Sequence, residues 1–96
     1  MAELILRSSR AQILKPLVQA ALHNELRLLE AGIRRAHERL REMEARYAIS
    51  TPEFLKRFEN NEFDETLEFA EWIGEHRLLE RLQEKAQALR EVEFAD

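Results

Sequence analysis

Apolar residues recur through the first half of the chain in the alternating steps of four and three that a helix–helix seam requires. The seam consists of Leu22, Leu26, Leu29, Ile33, Ala36, Leu40, Met43 and Tyr47. No proline interrupts it, so the pattern predicts one long helix over residues 16–48. Gly32 is its weak position, because glycine costs about 1 kcal/mol relative to alanine inside a helix.

The start of this helix is marked by two competing signals. Ser8 or Ser9 is a suitable N-cap, whereas Pro16 predicts either a kink or a later start near residue 16. The preceding residues 1–8 contain the stretch ELILR, which predicts a short strand or an extended arm.

Two breaks with capping signals divide the second half. Ser50 and Glu53 have capping-box spacing, and Pro52 suits a first helical position, so a short helix is expected over residues 52–59. Asn60 and Asn61 tolerate the left-handed backbone of a turn.

After this turn, Asp64 is a good N-cap for a last helix over residues 65–93. Its apolar stripe follows helical spacing and consists of Phe69, Trp72, Ile73, His76, Leu79, Leu82, Ala86 and Leu89.

These elements predict an all-α protein with one domain over residues 1–96. We expect an antiparallel hairpin of two long helices with a short elbow helix between them. Residues 14–33 carry more apolar surface than one seam needs, which predicts a dimer or tetramer that packs as a helical bundle. The predicted oligomer seam is Leu22, Leu26, Leu29, Ile33, Ala36 and Leu40.

The composition adds a split in charge. Residues 1–49 carry nine Lys or Arg and six Asp or Glu, net +3, whereas residues 50–96 carry six and thirteen, net −7. Arginines flank the seam, at Arg27, Arg34 and Arg41 on one side and Arg39 and Arg46 on the other. We expect them to pair with the acidic half, within the chain or across a dimer, and the acidic half argues against direct binding of nucleic acid.

No residue pattern typical of catalysis or metal binding stands out. The chain has no cysteine, its three histidines are far apart in sequence, and neither a Gly-rich phosphate loop nor an EF-hand spacing occurs. We therefore expect no enzyme, cofactor or metal. No apolar run approaches the ~20 residues of a membrane span, and no signal-peptide pattern begins the chain, so a cytoplasmic protein is expected.

The segment from residue 50 to residue 72 holds four of the five phenylalanines, the one tryptophan and seven carboxylates. One interpretation is an aromatic plug that closes the hairpin together with Tyr47. The other is an outward edge for a protein partner, anchored by Phe58, Phe63 and Trp72 within a rim of Glu59, Glu62, Asp64 and Glu68.

Residues 26–83 resemble small all-helical antitoxin-like proteins of bacterial and archaeal toxin–antitoxin pairs. The resemblance rests on a long charged helix followed by Ser50 or Thr51, Glu53, Phe54, Phe58, Glu59, Phe69, Glu71 and Trp72. The chain departs at NNEFDETLEF, where that group carries glycine and more aspartate. The resemblance implies that the acidic aromatic half binds and neutralises a basic toxin protein. The alternative is a self-associating structural or scaffold protein with no other partner.

Overall fold

The computed structural model describes residues 2–95, and these form three helices and no strand. The helices are α1 (Ala11–Tyr47), α2 (Thr51–Glu59) and α3 (Leu67–Arg90). The all-α prediction is confirmed. The strand expected as one alternative for the ELILR stretch is wrong, because residues 2–8 have no regular secondary structure. Met1, at the start of the predicted arm, and Asp96, at the end of the predicted domain, lie outside the described residues.

Helix α1 begins five residues before Pro16 and continues through it. Its N-cap is Arg10, with no side-chain cap. The Ser8 hydroxyl accepts a hydrogen bond from the Arg10 amide at 3.0 Å, which makes a local turn outside the helix. The predicted serine caps and the predicted start near residue 16 are both wrong. Pro16 is the sixth residue of α1, so it lies past the first turn and leaves the Gln12 carbonyl without its usual intrahelical donor.

The break between α1 and α2 follows the predicted capping chemistry. Ala48 takes a left-handed backbone with φ of 52° and ends α1. The Ser50 hydroxyl caps α2 by accepting from the Glu53 amide at 3.3 Å. The Glu44 carboxylate accepts from the Thr51 amide at 2.6 Å, so the end of α1 supplies a second cap for α2.

The break between α2 and α3 differs from the prediction in its cap. Asn61 has the expected left-handed backbone, with φ of 59°. Thr66 and not Asp64 is the N-cap of α3, because its hydroxyl accepts from the Phe69 amide at 3.1 Å. Helix α3 therefore begins at Leu67, two residues later than predicted.

Helices α1 and α3 pack on each other, and their contacts run in opposite order along the two helices. Arg46 pairs with Glu68, Arg39 pairs with Glu75 at 3.3 Å, and Glu30 pairs with Arg90 at 3.3 Å. These pairs place α3 along α1 from about residue 30 to residue 46. Residues 11–28 of α1 extend past the end of α3, and the molecule is correspondingly long, at 59 × 24 × 18 Å.

The core lies where α2 and the first half of α3 meet the last turns of α1. Its buried members are Ala36, Leu40, Phe54, Trp72 and Leu79. Eight half-buried apolar residues surround them, namely Ile33, Met43, Ile49, Leu55, Phe58, Phe63, Phe69 and Ile73. In the described part of the chain, none of the helices combines the length and the apolar composition that crossing a membrane demands.

The predicted oligomer seam is largely used inside the chain. Leu29, Ala36 and Leu40 are buried in the single chain, and Ile33 packs against the same core. Leu22 and Leu26, beyond the end of α3, are half-buried. The assignment of this seam to the centre of an oligomer is therefore corrected for its C-terminal half, because α3 and α2 already cover that half.

Candidate functional site

Six aromatic residues gather at the elbow, and we call them the elbow cluster: Tyr47, Phe54, Phe58, Phe63, Phe69 and Trp72. The Phe54 and Trp72 rings stack in parallel, with 3.8 Å between their centroids. Phe63 lies against Phe54 at 5.7 Å and against Phe69 at 5.5 Å. Tyr47 stacks on Trp72 at 5.7 Å. Every ring thus contacts another ring, which is the packing of an aromatic plug.

A buried hydrogen bond fixes the centre of this cluster. The Trp72 indole N–H donates to the Thr51 hydroxyl at 3.0 Å, and Thr51 is itself buried. Thr51 is the first residue of α2 and Trp72 lies in the second turn of α3. The bond therefore joins these two helices and satisfies an indole donor that would otherwise be buried without a partner.

A polar triad lies at the edge of the elbow cluster. The Tyr47 hydroxyl donates to the Glu68 carboxylate at 2.6 Å, and the Arg46 guanidinium also pairs with this carboxylate. The hydrogen bond to Glu68 raises the pKa of the Tyr47 phenol, and partial desolvation and the negative charge of Glu68 act in the same direction. The same hydrogen bond lowers the pKa of Glu68, and Arg46 lowers it further.

The predicted partner anchors are mostly turned inward. Trp72 is 1% exposed and can present no surface to a partner, so its assignment as an anchor is corrected. Phe58 and Phe63 are half-buried. The turn at Asn61 precedes Phe63, and the Phe63 ring packs on Phe54 and Phe69, so this predicted anchor presents at most one edge to a partner.

The predicted acidic rim is divided between two roles. Glu68 is half-buried and held by Tyr47 and Arg46. Glu59, Glu62 and Asp64 are exposed and form no ion pair with any residue of the described chain. These three carboxylates remain a candidate contact surface for a basic partner.

The arginine prediction is confirmed for one side of the seam. Arg39 and Arg46 pair with Glu75 and Glu68 of α3. Arg27, Arg34 and Arg41, on the other side, are exposed and have no ion pair among residues 2–95. Both pairs that form are intramolecular and partly exposed to solvent, so each adds little to the stability of the fold.

A shallow groove of about 540 Å³ runs between α2 and the first half of α3. We call it the α2–α3 groove, and its apolar lining is Phe58, Leu67, Ala70, Ile73 and Gly74. Leu67 is 77% exposed, and a Cβ atom added at Gly74 would meet no heavy atom within 4 Å. This groove was not predicted from the sequence, because most of its α3 residues lie on the face of the helix opposite the main stripe. The signal was present as Leu67, Ala70 and Gly74, at steps of three and four.

A second uncovered apolar surface lies at the N-terminal end. It comprises Leu4, Ile5 and Leu6 before α1 and Ile13, Leu17 and Leu28 within it, each about 60% exposed or more. We call Leu4, Ile5 and Leu6 the apolar arm. The surplus apolar surface predicted for residues 14–33 is part of this surface, and the arm was not predicted to belong to it.

Chemical groups for catalysis or metal binding do not converge in the described residues. Within residues 2–95, no three His, Asp or Glu side chains are placed to hold a metal ion. His76 pairs with Glu80, one turn further along α3, at 3.1 Å. The hydroxyls of Ser50, Thr51 and Thr66 each accept a structural hydrogen bond.

Comparison of the chain with protein-family models, with curated proteins and with solved structures found no match. The resemblance to antitoxin-like proteins therefore stays a prediction, and functional reasoning rests on the two uncovered apolar surfaces and the acidic rim.

Proposed function

We propose that this protein is a non-catalytic interaction module that binds a second copy of itself through its N-terminal end. The observation that carries the proposal is the exposure of six large aliphatic side chains within the first 28 residues. Several large exposed apolar side chains at one end of a molecule are typical of an interaction site. Burying one such side chain stabilises an interface by about 1.5–3 kcal/mol.

Charge supports a side-by-side arrangement of two hairpins that point in opposite directions. In that arrangement the N-terminal end of each copy lies beside the elbow of the other. Residues 2–10, at the N-terminal end, carry two arginines and one glutamate, net +1, whereas residues 50–72, at the elbow, carry two Lys or Arg and seven Asp or Glu, net −5, so these two regions attract. In the proposed dimer, α1 and α3 of each copy form an antiparallel hairpin, and the two hairpins pack together as a helical bundle.

The test is sedimentation equilibrium over a wide range of protein concentration. We expect a dimer for the native chain and a monomer for the Ile13→Asp, Leu17→Asp double variant, because two charges would be buried at the interface. The matched control is Gln12→Asp with Gln19→Asp, since both glutamines are exposed on the same part of α1. A native chain that remains monomeric at high concentration would overturn the proposal.

A second candidate is the antitoxin-like function, in which the protein neutralises a basic partner. The carboxylates of Glu59, Glu62 and Asp64 favour it, because they are exposed and form no ion pair within residues 2–95. Their charge would speed association with a basic surface. The test is binding to the purified product of the adjacent gene. We expect the Glu62→Lys, Asp64→Lys variant to weaken it at least about tenfold, as loss of ~1.4 kcal/mol would, and unchanged binding would rule out this surface.

A further inference from the structure

We propose that the apolar arm of one copy lies in the α2–α3 groove of a second copy, so that two chains exchange arms. This inference rests on the self-association proposed above and names the contact that holds the two copies together. It assigns a role to the two surfaces that the fold of the single chain leaves uncovered.

The arm has the chemistry of a segment that lies in an apolar groove. Leu4, Ile5 and Leu6 are consecutive large aliphatic residues in a stretch with no regular secondary structure, and Leu4 is 88% exposed. Nothing in residues 2–8 takes part in a helix or strand of its own chain. A short irregular segment has the freedom to adopt the shape of a groove.

The groove has the matching features. Leu67 and Phe58 form apolar walls, and Ala70 and Gly74 leave its floor without large side chains. The open space beyond Gly74 would admit an aliphatic side chain from outside. Glu65 lies at one end of the groove, with Glu62 and Asp64 just before it in sequence, and Arg77 lies at the other end, so the rim is acidic on the side nearest the turn between α2 and α3.

The charges of the arm complement this rim. Arg7 and Arg10 follow the arm, and one acidic residue, Glu3, precedes it. Two exposed guanidinium groups next to exposed carboxylates attract in water and fix orientation more than they add affinity. The apolar contact would supply most of the affinity.

The arm cannot reach the groove of its own chain. Gly74 lies next to Glu75, which pairs with Arg39 of α1. Arg39 is about 42 Å along α1 from Ala11, at ~1.5 Å per residue. The arm precedes Ala11 by five to seven residues, which span at most ~25 Å when fully extended. The occupant of the groove must therefore come from another molecule.

Two-fold symmetry makes the exchange reciprocal. When two copies lie side by side in opposite directions, the arm of each approaches the groove of the other, and both contacts form at once. The arrangement closes on itself, so it yields a dimer and no chain of copies.

The direct test uses the absence of cysteine from the native chain. The I5C chain and the G74C chain are purified separately with different tags, mixed under reducing conditions, and oxidised with diamide. We expect a disulfide-linked dimer that carries both tags. The matched control replaces the second chain with the E84C chain, because Glu84 is exposed on α3 outside the groove. Linking no more efficient than in this control would overturn the proposal.

A second measurement separates this inference from the proposed self-association. The Leu4→Ser, Ile5→Ser, Leu6→Ser chain should dimerise at least about tenfold more weakly, since loss of one buried aliphatic side chain alone has that effect. The folded part should keep its helix content, because these three residues are largely exposed in their own chain and belong to no helix. An unchanged dimer would overturn the arm exchange and leave self-association standing, whereas a native chain without any dimer would overturn both.

Discussion

The rings of Phe54 and Trp72 lie parallel, within 1° of each other and 3.8 Å apart, and both side chains are almost completely buried. Phe54 belongs to the nine-residue helix α2, which is too short to be stable alone. Trp72 belongs to α3, which packs along α1. The stack therefore holds the short helix in place and sets the angle at which the chain turns from α1 to α3.

The hydrogen bond beside this stack gives a first prediction. Replacing Thr51 by Val keeps the shape of the side chain but leaves the Trp72 indole N–H buried without an acceptor. We expect a loss of about 1–3 kcal/mol in the free energy of unfolding, measured by urea denaturation followed by circular dichroism.

The control for this prediction is the same change in a Trp72→Phe background. There the indole donor is absent, so Thr51→Val should cost clearly less than in the native chain. An equal cost in both backgrounds would show that Thr51 acts through its contacts and not through the hydrogen bond.

The N-cap of α3 gives a second prediction. Because the hydroxyl of Thr66 accepts from the Phe69 amide, Thr66→Ala should destabilise the protein by about 1 kcal/mol. Asp64→Ala should change stability by no more than about 0.5 kcal/mol, as is usual for an exposed position. If Asp64→Ala destabilises the protein more than Thr66→Ala in thermal or urea unfolding, then Asp64 is the N-cap, as predicted from the sequence.

The sequence alone does not decide which of these two residues caps α3. Residues Asp64 and Thr66 are both good capping residues two positions apart, and the position of Phe69 in the elbow cluster selects between them. The seam of α1 was readable because spacing alone reveals which face of a helix is buried. Spacing does not reveal which partner buries that face, so Ala36 and Leu40 were assigned to an oligomer although α3 and α2 cover them.

The candidate sites were less predictable than the fold for the same reason. Trp72 and Phe63 were expected at an outer edge because acidic neighbours surround them in sequence. In space Glu62, Asp64 and Glu71 are exposed, whereas Trp72 is buried and Phe63 packs on Phe54 and Phe69. The exposed groove at Leu67 lacks a strong pattern, because small residues along a helix are compatible with either a solvent face or a docking face.

The Tyr47–Glu68 pair gives a third prediction, about pH. The raised pKa of Tyr47 means that this residue stabilises the folded chain below its unfolded-state pKa and that the effect is lost as pH rises through the folded-state pKa. The lowered pKa of Glu68 means that this residue stabilises the folded chain at pH values above its unfolded-state pKa. That stabilisation is lost as the pH falls through the folded-state pKa.

Tyr47 is the one tyrosine of the chain, so its titration is readable directly by ultraviolet absorbance. We expect Glu68→Ala to lower the pKa of Tyr47 towards its ordinary value of 10.0. Glu71→Ala is the matched control, since Glu71 is an exposed carboxylate on the same helix. If both variants titrate like the native chain, Tyr47 does not donate to Glu68 in solution.

The two glycines give the last prediction. Both lie within helices, but Gly74 faces open space and Gly32 faces a packed neighbouring helix. A Cβ atom at Gly74 would meet nothing within 4 Å, so Gly74→Ala should gain the full helix preference of alanine, about 0.8–1 kcal/mol. A Cβ atom at Gly32 would lie 3.2 Å from Cδ1 of Leu82, across the contact between α1 and α3. Leu82 must then move by a few tenths of an ångström within a packed interface, which offsets part of the gain.

We expect Gly32→Ala to stabilise the protein less than Gly74→Ala in urea unfolding at low protein concentration, where any dimer is dissociated. Equal gains would mean that α1 and α3 are not in close contact at this level, and the packing of the two long helices described above would then be wrong.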